Sequence, residues 1–112
     1  MNNVMQQTDN LIEAIHASNE YSQYQMLQNT ITKDEGVYQR LNEYRRKNFE
    51  IQMNTNADAI NEGARLREEY ADILKRAEVK DFLAAEQRYI KMLRCVNQKL
   101  DMQINVNIDF LE

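Results

Sequence analysis

Proline is absent from the 112 residues, and glycine occurs only at Gly36 and Gly63. Sheets joined by tight turns draw heavily on both residues, so an all-β fold is excluded. Cys95 is the single cysteine. A lone thiol rules out a disulfide framework and accords with a reducing cytoplasm. It also rules out an iron–sulfur cluster held by one chain, which takes about four thiolates. No apolar run approaches the roughly 20 residues of a spanning helix, so no integral membrane segment is expected. Residues 1–10 hold neither Lys nor Arg and no apolar stretch, which predicts the absence of a signal peptide. Positive charge is not in excess either: 14 Lys and Arg face 18 Asp and Glu, for a net −4. No global field then draws nucleic acid or an anionic membrane.

Apolar residues make up 43% of the chain and charged residues 29%, and the apolar ones recur at helical spacing almost from end to end. The length suits one domain, so residues 1–112 read as a single helical unit with an arm at 1–3 and an extended tail at 103–112. Breaks in the helical phase divide the chain into about five helices that form long antiparallel hairpins in a bundle. The first runs from about Val4 to His16, with Val4, Leu11, Ile12 and Ile15 on one face. Ser18 or Asn19 then caps the second, about Glu20 to Thr32. At the next corner Thr32 and Glu35 spell a capping box, and Asp34 competes as the cap. The third helix extends from about Glu35 to Asn54, before the clearest loop, Asn54-Thr55-Asn56.

The fourth helix, about Ala57 to Arg76, repeats Gly63, Leu66, Tyr70, Ile73 and Ala77 in near-heptad steps. Gly63 there would let another backbone approach. The fifth covers about Glu78 to Met102. Because Lys75-Arg76-Ala77-Glu78 contains no helix breaker, propensity alone also permits one long helix. In the tail, Ile104, Val106, Ile108 and Phe110 alternate with Asn and Asp, a strand-like period. An extended tail that tucks its apolar side against a helix or a partner fits that pattern equally.

Signals for chemistry are sparse. Glu13 and His16 have the Glu-x-x-His spacing of one half of a di-iron site, but the other half is missing. Cys95 borders an apolar arc as a small hydrophobe. No phosphate loop, nucleophile elbow or zinc spacing occurs. These features point to a protein without catalytic residues, metal or cofactor. Arg45-Arg46-Lys47 is the only basic run, yet its three side chains point about 100° apart around a helix and read first as solvated surface. The six tyrosines could stack bases, although most lie on the inferred core faces.

Glu86 conflicts with its surroundings. At 100° per residue it falls within the arc of Leu83, Ile90 and Leu93, and Asn97 lies almost on the same line. A carboxylate there requires a partner. If the fourth and fifth helices form a hairpin, Tyr70 and Arg67 come opposite Glu86, and either can donate to it and pin the register.

In order along the chain stand Leu11-Ile12-Glu13-Ala14-Ile15, Ser18-Asn19-Glu20-Tyr21 with Tyr24, Ile31-Thr32-Lys33-Asp34-Glu35, Leu41-Asn42-Glu43-Tyr44 and Val79-Lys80-Asp81-Phe82-Leu83-Ala84-Ala85-Glu86-Gln87, then Leu93 and Val96. Together they resemble the YlbF/YmcA/YheA family of small helical bacterial proteins. The resemblance implies an all-helical fold, self-association, no known catalysis, and regulatory roles in competence, biofilm and sporulation pathways. Some of these regulators steer messenger-RNA processing together with other proteins. Two departures stand out. Glu35 and Ala77 occupy positions where the family often has Pro, and the extra cysteines of cluster-binding members are missing.

The resulting expectation is a cytoplasmic, non-catalytic adaptor. It forms a homodimer, meets other regulatory or RNA-processing proteins, and touches neither membrane nor nucleic acid directly. Extra apolar residues such as Phe49, Met53 and Ile60 support self-association. The alternative is a direct RNA-binding module that uses Arg45, Arg46 and Lys47.

Overall fold

The computed structural model describes residues 1–54 and 58–111, which are all-α. Six helices follow one another: α1 (Asn2–His16), α2 (Asn19–Thr32), α3 (Glu35–Met53), α4 (Ala59–Glu69), α5 (Ala71–Leu74) and α6 (Ala77–Gln103). A 3₁₀ turn, Asp109–Leu111, follows in the tail. The expected arm shrinks to Met1, because α1 already begins at Asn2. Asn54 leaves α3 in extended geometry; the rest of the expected loop, Thr55-Asn56, and the expected helix start at Ala57 lie outside the described residues.

Each of the first two corners selects one cap from the available pair. Ser18 Oγ accepts from the Tyr21 N–H at 3.2 Å and donates to the Ile15 carbonyl at 2.6 Å, so one hydroxyl closes α1 and opens α2. At the second corner Asp34 Oδ1 accepts from the Val37 N–H at 3.3 Å. The Thr32 hydroxyl turns back to the Asn29 carbonyl at 3.0 Å, and the Thr32–Glu35 box does not form.

The chain order of the helices does not set their pairing. α6 packs antiparallel on α2, and α4 and α5 pack on α3. Tyr21 meets Tyr89 with ring centroids 5.5 Å apart, while Tyr24 lies against both Phe82, at 5.6 Å, and Tyr89, at 5.2 Å. A hairpin between the fourth and fifth sequence segments, the basis for facing Glu86 with Tyr70 or Arg67, is therefore absent. One core joins the two pairs through Ile31, Val37, Leu41, Leu66, Tyr70, Ile73, Val79 and Phe82. Gly63 is buried, but a Cβ added to it would meet only the Arg67 side chain, at 3.5 Å. No backbone approaches there.

The weak boundary before α6 is a real corner. Arg76 is extended (φ −70°, ψ 135°) and precedes Ala77. Its guanidinium reaches Glu78 at 2.6 Å and Asp34 at 3.8 Å. Ile73 and Val79 are 3% and 0% exposed. Six residues of uninterrupted helix would set them about 120° apart, so burying both in one core requires the chain to turn between them. A second interruption falls at Tyr70 (φ −105°, ψ 19°), where α4 ends and α5 begins.

The molecule measures 49 × 39 × 17 Å with a radius of gyration of 18.4 Å, against about 13 Å for a compact domain of this length. The reason lies in element lengths. The 27 residues of α6 span about 40 Å and the 14 of α2 about 21 Å, so α2 covers only half of its partner. Beyond Tyr89, α6 runs past the start of α2.

Candidate interaction surface

Glu86 has the partner its position demands, and that partner is Arg45. The Arg45 Nη2 donates to Glu86 Oε2 at 2.5 Å, linking α3 to α6. The carboxylate side chain is 12% exposed. Arg45 is also held by Asn42 Oδ1 at 3.1 Å and lies over the Phe82 ring, 5.4 Å from its centroid. Burial raises the Tyr24 phenol above its ordinary value, and the nearby Glu86 charge adds to the effect.

Tyr70 serves a different cluster. Its ring is buried beside Tyr44, with Arg40 4.7 Å and Lys47 5.2 Å from its centroid. Its hydroxyl receives Lys47 Nζ at 2.9 Å and donates to Glu43 Oε2 at 3.2 Å. The bond to Tyr70 raises the Lys47 ammonium above its usual value. Arg40 reaches Asp72 at 2.8 Å, which pulls that carboxyl below the usual range. Tyr70 therefore ties α3 to the α4–α5 junction and is not a partner of Glu86. Arg67 is exposed beside Gly63, and Asn97 is exposed on the half of α6 that α2 does not cover.

The basic run thus separates. Arg45 pairs with Glu86, Lys47 with Tyr70 and with Glu69 at 3.6 Å, and Arg46 stays exposed. Sequence reasoning identified Glu86 as anomalous but assigned it the wrong donors. The usable signal lay in the basic run itself, which can supply a cation to α6 from α3. Elsewhere, the His16 and Tyr21 rings meet at a tilt with centroids 4.7 Å apart, and Cys95 is a free, exposed thiol. Among the described residues no group of three or more His, Cys, Asp and Glu side chains is placed to hold a metal ion.

Two apolar surfaces remain uncovered. α1 contains no buried residue, and Val4 and Met5 on it are more than half exposed. Leu100 and Met102 at the end of α6, followed by Ile104, Val106, Ile108, Phe110 and Leu111, are exposed as well. Separately, the ends of α3 and the middle of α6 flank a groove of about 680 Å³ lined by Phe49, Met53, Leu83, Ile90, Arg46 and Arg94, with the Arg45–Glu86 pair in its wall. Phe49 and Met53 are 61% and 68% exposed. Ile60, on α4, is 84% exposed.

Such a fold and surface define a small, flat all-α protein whose polar clusters lock its helices together and whose amphipathic helices keep apolar faces free. The chain belongs to the YlbF/YmcA family, described as control of competence regulator ComK, whose model matches residues 4–105. No curated protein and no solved structure matches it. No helix among the described residues is long and apolar enough to cross a membrane.

Proposed function

We propose that the protein is a non-catalytic regulatory adaptor of the bacterial cytoplasm, a single helical domain that self-associates and presents its remaining surface to regulatory or RNA-processing proteins. The observation that carries this reading is the number of exposed apolar residues on α1, on the end of α6 and on the tail. Isolated exposed apolar residues are ordinary, but this many on two helices and a tail point to an interaction site. The simplest closure is a twofold dimer, in which the same face is buried by its copy. Membership in a family described by control of a competence regulator supports the regulatory role.

Two measurements test it. Light scattering on the full chain is expected to report a dimer, and Ile12→Glu is expected to shift it toward monomer. Affinity capture from the native host should recover a defined protein partner, at levels that differ between the wild type and Ile12→Glu. A concentration-independent monomer that retains single-stranded RNA with a steep salt dependence would instead establish direct RNA binding.

A further inference from the structure

We propose that the groove between α3 and α6 is the seat of the C-terminal tail of a second copy of this chain, so that two molecules exchange tails. The inference rests on the twofold dimer proposed above and specifies what that dimer does with two surfaces left open in each copy. One is the groove, with apolar Phe49, Met53, Leu83 and Ile90 along it and Arg46 and Arg94 at its rim. The other is the tail, whose Ile104, Val106, Ile108 and Phe110 are 57–78% exposed.

Charge and shape match. From Leu100 onward the sequence contains Asp101, Asp109 and Glu112 and no Lys or Arg. The groove rim is cationic, and no ion pair involves Arg46 or Arg94 among the described residues. Before the 3₁₀ turn, Ile104, Val106 and Ile108 alternate with Asn105 and Asn107, and drawn out in extended form they would recur about every 6.6 Å on one side. Phe49 and Met53, four residues apart on α3, are separated by about 6 Å along the helix axis.

The α6 stripe supplies the register. Leu93, Val96 and Leu100 continue past Tyr89, whose ring packs on Tyr21 and Tyr24 of α2, and Leu100 is exposed. Antiparallel pairing of two such stripes about Val96 places residue 103 of one copy beside residue 89 of the other. The tail leaving at Ile104 then starts next to Gln87 and Ile90, at the mouth of the groove. The tail of the same chain cannot make that contact with Val106. Gln103 and Gln87 lie about 24 Å apart along α6, whereas three extended residues reach about 10 Å.

That difference defines the experiment. In a full chain carrying Cys95→Ser, single cysteines are introduced as Val106→Cys and Gln87→Cys and treated with a short bismaleimide. Scattering and denaturing gels are read together, with thermal melting as a check that each variant folds. The expected result is a dimer in solution, covalently joined chains on the gel, and about tenfold weaker dimerisation for Ile108→Asp and for Arg46→Glu combined with Arg94→Glu. A dimer that yields no joined chains and ignores Ile108→Asp overturns the tail exchange while the dimer stands. A monomer at all concentrations overturns both.

Discussion

The guanidinium of Arg45 and the carboxylate of Glu86 meet across the gap between α3 and α6, 41 positions apart in the chain, and bind at 2.5 Å. The pair stands in the wall of the groove that α3 and α6 line together, so it ties these two helices to each other there. Because Glu86 is mostly covered and Arg45 about two-thirds covered, loss of either partner strands a charge in a poorly hydrated place. Glu86→Ala and Arg45→Ala are each expected to cost about 1–3 kcal/mol in chemical denaturation. Glu86→Leu combined with Arg45→Met should recover part of that loss, since no charge remains unpaired. Strictly additive single and double variants would refute the coupling.

At Tyr70 the ring and the hydroxyl contribute unequally. The ring is 1% exposed, whereas the hydroxyl meets Lys47 and Glu43 near the surface. Tyr70→Phe is expected to cost about 0.5–1.5 kcal/mol. Tyr70→Ala, which opens a cavity in the core, should cost about 3–5 kcal/mol. Equal losses in the two variants would contradict this assignment.

Gly63 lies inside α4, where glycine costs up to about 1 kcal/mol relative to alanine. A Cβ there meets nothing closer than 3.5 Å, an ordinary contact with a flexible Arg67 side chain. Gly63→Ala is therefore expected to raise the denaturation midpoint by about 0.5–1 kcal/mol of stability. A lower midpoint would mean that the site is tighter than its geometry indicates.

The Tyr24 phenol has a simple pH signature. Its value is raised above 10.0 by burial and by the Glu86 charge. Its contribution to stability is fully present below the ordinary tyrosine value and is lost as pH rises through the folded one. Ultraviolet titration should show a late-ionising component that disappears in Tyr24→Phe, and unfolding free energy should decline above about pH 10 less steeply in that variant. Substituting Glu86→Gln should bring the Tyr24 titration closer to its usual position.

Much of the architecture was legible because it depends on local chemistry. Helical periodicity, an absence of proline and a scarcity of glycine leave little besides an all-α chain, and Ser18 and Asp34 act as caps within a few residues of the backbone groups they satisfy. The polarity of Glu86 on an apolar arc likewise signalled a required partner. The strand-like alternation of the tail misled in part. Asn107 Oδ1 accepts from the Asp109 N–H at 2.8 Å, and a 3₁₀ turn follows, so the tail pairs with no strand among the described residues.

Pairing was beyond local chemistry. Whether α6 lies on α4 or on α2 depends on which faces bury the most surface together, and that is a property of the whole set of helices rather than of any segment. The aromatic contact of Tyr21 and Tyr24 with Phe82 and Tyr89 settles it for α2. From that choice follow Arg45 as the partner of Glu86, the turn at Arg76 that brings Ile73 and Val79 into one core, and the exposure of Asn97. The sequence by itself determined the helical character of the segments, the pair of candidate caps at each of the first two corners and the need for a buried countercharge, because each arises within a few residues. Only the tertiary structure decided which helices meet and which apolar faces stay open, because burial is shared among elements distant in the chain.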